Sequence, residues 1–185
     1  MNLGTEQTMP GSRVYNCMVN VHEFLIICER YLSLSGAAYN DVSSYNTVSG
    51  VWKLHRRQME QEEVYSYTKI CAHGNNVYIC SIDNHYGEVP QINSIVSFNV
   101  INDKWETVYS PSEERDDNEP GPMYVSLFIY HNGSLYIMGY SANSQDLDAT
   151  YIFCLNTSKW SVMQQIGETP KFYGEMYGTV FRNQY

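Results

Sequence analysis

Three short runs of apolar residues punctuate the chain: Phe24-Leu25-Ile26-Ile27-Cys28, Val77-Tyr78-Ile79-Cys80 and Leu135-Tyr136-Ile137-Met138. Each is continuous rather than alternating, the pattern of a strand covered on both faces. Ahead of each run stands another strand-like segment: Tyr15 to Val21, Tyr67 to His73 and Tyr124 to His131. Turn residues join the two in every case, His22-Glu23, Gly74-Asn75-Asn76 and Asn132-Gly133, the last being a strong hairpin signal.

Downstream of each run comes a further element that ends at a tryptophan. Trp52, Trp105 and Trp160 are 53 and 55 residues apart, and an aromatic residue stands seven places before each: Tyr45, Phe98 and Phe153. Polar or small residues lie just before the indole, so the element reads as strand, tight turn, strand. All these features keep one phase. An ordinary antiparallel sandwich, whose strands also recur at short spacing, would not require that. The same spacing predicts a fourth start at Tyr177-Gly178-Thr179-Val180-Phe181. The chain divides into an N-terminal tail over 1–12, four-stranded units over 13–64, 65–122 and 123–174, and the first strand of an incomplete unit over 175–185.

Composition narrows the class. Hydrophobic residues make up 43% and charged residues 17% of 185 residues, enough apolar content for a folded core. The 17 tyrosines favour strands. A net charge of −9 without a basic stripe argues against nucleic acid and anionic membranes as partners. His55-Arg56-Arg57 is the one basic cluster, and Glu60, Glu62 and Glu63 follow it. The longest apolar run is far too short to span a bilayer, and Met1 to Glu6 lacks the pattern of a signal peptide. Cys17, Cys28, Cys71, Cys80 and Cys154 form no C-x-x-C pair and are expected as reduced, buried thiols of an intracellular protein, cytoplasmic or nuclear. Asn132-Gly133-Ser134 and Asn156-Thr157-Ser158 match a glycosylation pattern but read as turns.

A period near fifty with four strands resembles the Kelch repeat. Repeats of the WD40 type are shorter and carry Trp-Asp, whereas these tryptophans are followed by Lys53, Glu106 and Ser161. The resemblance is closest over Leu135-Tyr136-Ile137-Met138-Gly139 and from Tyr151-Ile152-Phe153 to Trp160, and it covers roughly residues 11 to 185. The double glycine usual in Kelch repeats is replaced by Glu29-Arg30, Ser81-Ile82 and Gly139-Tyr140, so the repeats are divergent. The resemblance implies an all-β fold, a Kelch-type β-propeller fragment of three four-stranded blades plus the first strand of a fourth. Propellers close with 4 to 8 blades, so a fragment, a truncated isoform or an incomplete gene model is expected, with the missing blades of a longer chain or a second copy as further partners.

Propeller proteins bind through the loops at one end of the blades. The loops expected there are Glu29 to Asp41, Asp83 to Gln91 and Tyr140 to Asp148 within the blades, and His55 to Val64, Tyr109 to Met123 and Met163 to Glu175 between them. Arg30, Tyr31, His85, Tyr86, Tyr140 and Asn143 are the partner-binding candidates. Arginine can clamp a carboxylate, and tyrosine gives contact area at low entropy cost. Glu113 to Glu119 is an acidic run in the longest linking loop and reads as a solvated segment. The tryptophans read as blade-packing residues.

No catalytic constellation emerges. His22, His55, His73, His85 and His131 stand singly, and the sequence holds no zinc spacing, phosphate loop or nucleophile elbow. No catalytic residue, metal or cofactor is expected. The leading expectation is a non-enzymatic module that binds a protein or peptide. The resemblance extends it to the substrate-recognition part of a cullin-type ubiquitin ligase receptor. The alternatives are an actin-associated Kelch scaffold and a propeller-fold oxidase or sugar-processing enzyme.

Overall fold

A computed structural model describes residues 14–32, 38–55, 67–83, 90–112, 116–140, 149–164, 166–168 and 178. Among them all regular structure is β, in twelve strands. The first sheet contains β1 (Val14–Val21), β2 (Phe24–Leu32), β3 (Ala38–Asn46) and β4 (Val51–His55). The second contains β5 (Tyr67–His73), β6 (Asn76–Asp83), β7 (Gln91–Asn99) and β8 (Lys104–Tyr109). The third contains β9 (Tyr124–His131), β10 (Ser134–Tyr140), β11 (Ala149–Cys154) and β12 (Lys159–Met163). Each sheet is an antiparallel meander in chain order, the blade of a propeller-type fold.

The repeat is visible as cross-strand rows, whose members share one face of a sheet. Ala72, Val77, Phe98 and Trp105 pair across the second sheet. Tyr130, Leu135, Phe153 and Trp160 pair in the same way across the third. Asn20, Leu25, Tyr45 and Trp52 form the equivalent row of the first. Thus each indole holds the same place in its own sheet, next to the aromatic residue seven positions earlier. The ring centroids are 4.8, 4.6 and 4.9 Å apart in the three pairs.

The turns repeat as well. Residues two places before each tryptophan, Gly50, Asp103 and Ser158, all have positive φ. Six places before, Asn46 and Asn99 accept hydrogen bonds from the next backbone amides through their side-chain oxygens. The third sheet has Cys154 at this position. Its thiol is hydrogen-bonded by the Thr157 side chain and by the backbone of Thr157 and Asn156, which lowers its pKa. A sulfur therefore does the work of an asparagine oxygen.

Stacking of the sheets creates two apolar layers. Between the first and second sheets, Val21, Ile26, Cys28 and Val42 meet Val77, Ile79, Val96 and Phe98. Between the second and third, Cys71, Tyr78, Cys80, Ile82, Ile92 and Ile95 meet Val125, Phe128, Leu135, Ile137, Phe153 and Trp160. Burial pushes the Cys71 and Cys80 thiols up, which keeps them protonated. The opening strands lie side by side, β1 against β5 and β5 against β9. Cys17 donates to the carbonyl of Thr68 across the first of these contacts.

Some expectations need correction. The strands run further than the sequence suggested: Glu29 to Leu32 and Ala38 to Asp41 are paired residues of β2 and β3 rather than loop. Tyr140, His55, Tyr109 and Met163 likewise end strands. Backbone pairing continues for as long as partners face each other, whatever the polarity of the side chains. No disulfide joins the cysteines, but Cys17 and Cys154 are only half-buried. Of the acidic run, Asp116 and Asn118 form a tight turn in which the Glu119 amide donates a hydrogen bond to the Asp116 carbonyl and the Glu119 carboxylate accepts from the Tyr109 hydroxyl at 3.2 Å. Of the proposed fourth start, Gly178 alone is described, and its Cα faces the Leu127 side chain of β9.

Candidate functional site

The ends of β2, β6 and β10 lie on the same end of their sheets, because each is the second strand of an identical meander. This end carries the candidate residues. Arg30 and Tyr31 occupy the end of β2, where their backbones pair with Asn40 and Tyr39. Tyr140 closes β10. His85, Tyr86 and Asn143 lie outside the described residues.

Tyr140 faces Tyr124 directly across β9 and β10. Their rings stack with centroids 5.0 Å apart and planes 20° from parallel, and Tyr124 is 36% exposed. Beneath them the Tyr67 hydroxyl, from the neighbouring sheet, accepts the Val125 amide at 3.3 Å. Burial raises the pKa of Tyr67, so the hydroxyl stays neutral. Met123 is tied to the second sheet by its amide, which donates to the Pro90 carbonyl at 2.7 Å. The tyrosine pair thus stands at a fixed joint between two sheets.

Gly139 makes this arrangement possible. The β9–β10 register shifts between Met138 and Gly139, bringing the Tyr124 carbonyl against the Gly139 Cα. A Cβ there would overlap that carbonyl and come within 2.6 Å of the Met123 side chain. Sequence reasoning picked out Tyr140 but missed Tyr124 and Tyr67, which it read as ordinary strand starts. The signal available was the tyrosine that opens each unit.

A second polar cluster lies at the joint between the first and second sheets. His55 donates its Nδ1–H to the Asp103 carboxylate at 2.8 Å, and its Nε2 accepts from the Ser44 hydroxyl at 2.8 Å. Lys53 also pairs with Asp103. Burial holds the His55 pKa below its ordinary value, against the pull of Asp103. Burial raises Asp103 as well, but Lys53 and His55 outweigh it and the net shift is downward. The order Ser44, His55, Asp103 is that of a hydrolytic relay. However, Ser44 and His55 are 3% and 5% exposed, inside the joint of two sheets, so no substrate carbonyl reaches the Ser44 hydroxyl. The His55 ring instead lies 4.6 Å from Phe98 of the second sheet, and the cluster fastens that joint. Among the described residues no group of His, Cys, Asp or Glu is placed to hold a metal ion, and no helix is long and apolar enough to cross a membrane.

No family model matches the chain, and no curated protein matches it. Among solved structures it is similar to YjhT, with 12% identity and a TM-score of 0.55 over 86% of this chain. The chain spans 54% of the length of YjhT. At that identity the likeness concerns the fold alone.

Proposed function

We propose that this chain is a non-enzymatic module that binds a protein or peptide at the strand ends carrying Tyr124 and Tyr140. The stacked pair supports this reading most directly. It offers an exposed aromatic surface on two hydrogen-bonded strands, held from below by Tyr67 and Met123. Rigid aromatic residues make effective anchors because little rotamer freedom is lost on binding. Arg30 and Tyr31 reach the same end of the first sheet, where a guanidinium would favour a partner carboxylate. The resemblance to Kelch repeats extends the reading to substrate recognition for a cullin-type ubiquitin ligase.

Panning a random peptide library against the chain and measuring the selected peptides by fluorescence polarisation tests the proposal. Tyr124→Ser should weaken binding by about tenfold or more, while Lys104→Ser at the far end should leave it unchanged. Selected peptides that bind Tyr124→Ser and Tyr140→Ser as tightly as the parent chain would refute the placement.

A further inference from the structure

Cys17 and Cys28 are direct partners across β1 and β2. Partners in an antiparallel pair share one face, with Cα atoms about 4.5–5.5 Å apart, inside the span that a disulfide bridges. Their neighbours fix which face it is. Ile26 and Cys28 of β2 pack in the layer between the first and second sheets, together with Val19 and Val21 of β1. Cys17 continues that alternation along β1, and its Sγ lies 2.8 Å from the Thr68 carbonyl of β5. Both thiols therefore belong to the first joint, under a sheet that the chain itself supplies.

The repeat does not require this pair. In the second sheet the same row opposes Lys69 to Cys80, and in the third it opposes Leu127 to Met138. The two sulfurs also differ in access, Cys17 being half-buried and Cys28 only 3% exposed. A partly accessible thiol beside a buried one is the arrangement of an attacking and a resolving cysteine. The β1–β2 register shifts between Val14 and Cys17, so the backbone bends next to Cys17 and has room to adjust. The Cys17 S–H already has a task, because it donates to Thr68 and ties β1 to β5. A disulfide sulfur carries no proton and cannot do this.

We propose that Cys17 and Cys28 are an oxidation site, at which a small-molecule disulfide closes a cross-strand bond that takes the donor from Thr68 and loosens the first joint. Cys17, as its thiolate, attacks one sulfur of the reagent and expels the other half as a thiol. Cys28 then attacks the Cys17 sulfur of the mixed disulfide and expels the second half. One S–S bond breaks and one forms, two electrons pass to the reagent, and the two cysteine protons leave on its two thiols. Excess small thiol reverses the sequence.

Oxidised glutathione is the probe, applied to the folded chain and followed by acid quench and alkylation. The tryptic peptide from Val14 to Arg30 carries both cysteines and should be recovered lighter by two hydrogens. Cys71 and Cys80, sealed in the second joint, should remain thiols, which reports that the chain stays folded. Cys28→Ser should stop with one glutathione held on Cys17. In hydrogen exchange, β5 of the oxidised chain should exchange about threefold faster or more, and dithiothreitol should restore the original rate. Cys17→Ala should show the faster rate without oxidant, whereas Cys17→Ser, which keeps a hydroxyl donor, should show neither the faster rate nor a response to oxidant. Glutathione that persists on Cys17 of the parent chain, a bond from Cys17 to any other cysteine, or a Cys17–Cys28 bond that leaves β5 exchange unchanged would overturn the proposal. These three readings come from the parent chain, so they decide even where a variant fails to fold.

Discussion

Tyr45, Phe98 and Phe153 hold one position in three sheets, yet their truncation should not cost the same. Phe98 is 0% exposed and Phe153 2%, each sealed between its own sheet and the ring ending the previous one. Removing such a ring forfeits its transfer free energy and leaves a cavity, together about 3–5 kcal/mol for Phe→Ala. Tyr45 is half-buried, with its indole neighbour on one side and, among the described residues, no sheet over the other. Tyr45→Ala therefore loses less burial and opens no enclosed void, at about 1–2 kcal/mol. For a chain of this length each kcal/mol moves Tm by about 2–4 °C. Phe98→Ala and Phe153→Ala should lower Tm by roughly 6–20 °C and Tyr45→Ala by roughly 2–8 °C. Calorimetry at a concentration where the parent chain is monomeric makes the comparison. Equal losses at all three positions would show that the first row is capped like the others and that the reasoning is wrong.

Other expectations follow from single sites. Gly139→Ala must displace the Tyr124 carbonyl and the Met123 side chain, so it should cost about 1–3 kcal/mol in urea unfolding and weaken peptide binding; an unchanged midpoint would contradict the close approach. The His55 pKa is lowered in the folded chain, so the unfolded state takes up the proton more readily and stability is lost as pH falls from about 6.5 through the folded value. His55→Gln should flatten the decline between pH 7.5 and 5.5, and a parent chain that becomes more stable in that window would refute the assignment. Asp103, lowered in pKa, contributes in the same sense at more acid pH, its part present above 3.8 and lost below. Mass mapping after brief alkylation should find Cys154 modified first, because its thiol pKa is lowered, with Cys71 and Cys80 protected; the reverse order would contradict the hydrogen bonding at that turn.

The strand pattern was legible because it depends on local chemistry repeated in phase. The apolar middle strands, the Asn-Gly turn and the aromatic–tryptophan spacing all report burial and turn geometry within one sheet. The joints were not legible. Nothing in the sequence distinguishes His55 as a ring cap from a loop histidine, since its partners Asp103 and Phe98 come from another sheet. For the same reason Cys154 read as a buried thiol, although its place in the repeat is that of Asn46 and Asn99. The candidate site was partly legible. Tyr140 was named for its chemistry, but Tyr124 and Tyr67 matter through cross-strand and cross-sheet contacts that periodicity does not encode. Polarity after the apolar run points to a loop at Arg30 and Tyr31, whereas backbone pairing with Asn40 and Tyr39 carries the strand past them.

Broadside stacking of the sheets through equivalent rings is most directly tested by aromatic nuclear Overhauser contacts in the 185-residue chain. Cross-peaks should connect His55 with Phe98 across the first joint, and Tyr109 with Trp160 and His73 with Tyr130 across the second, where the rings are 4.6, 5.1 and 3.9 Å apart. Cross-peaks confined to pairs within single sheets, with none of these three present, would contradict the stacked arrangement.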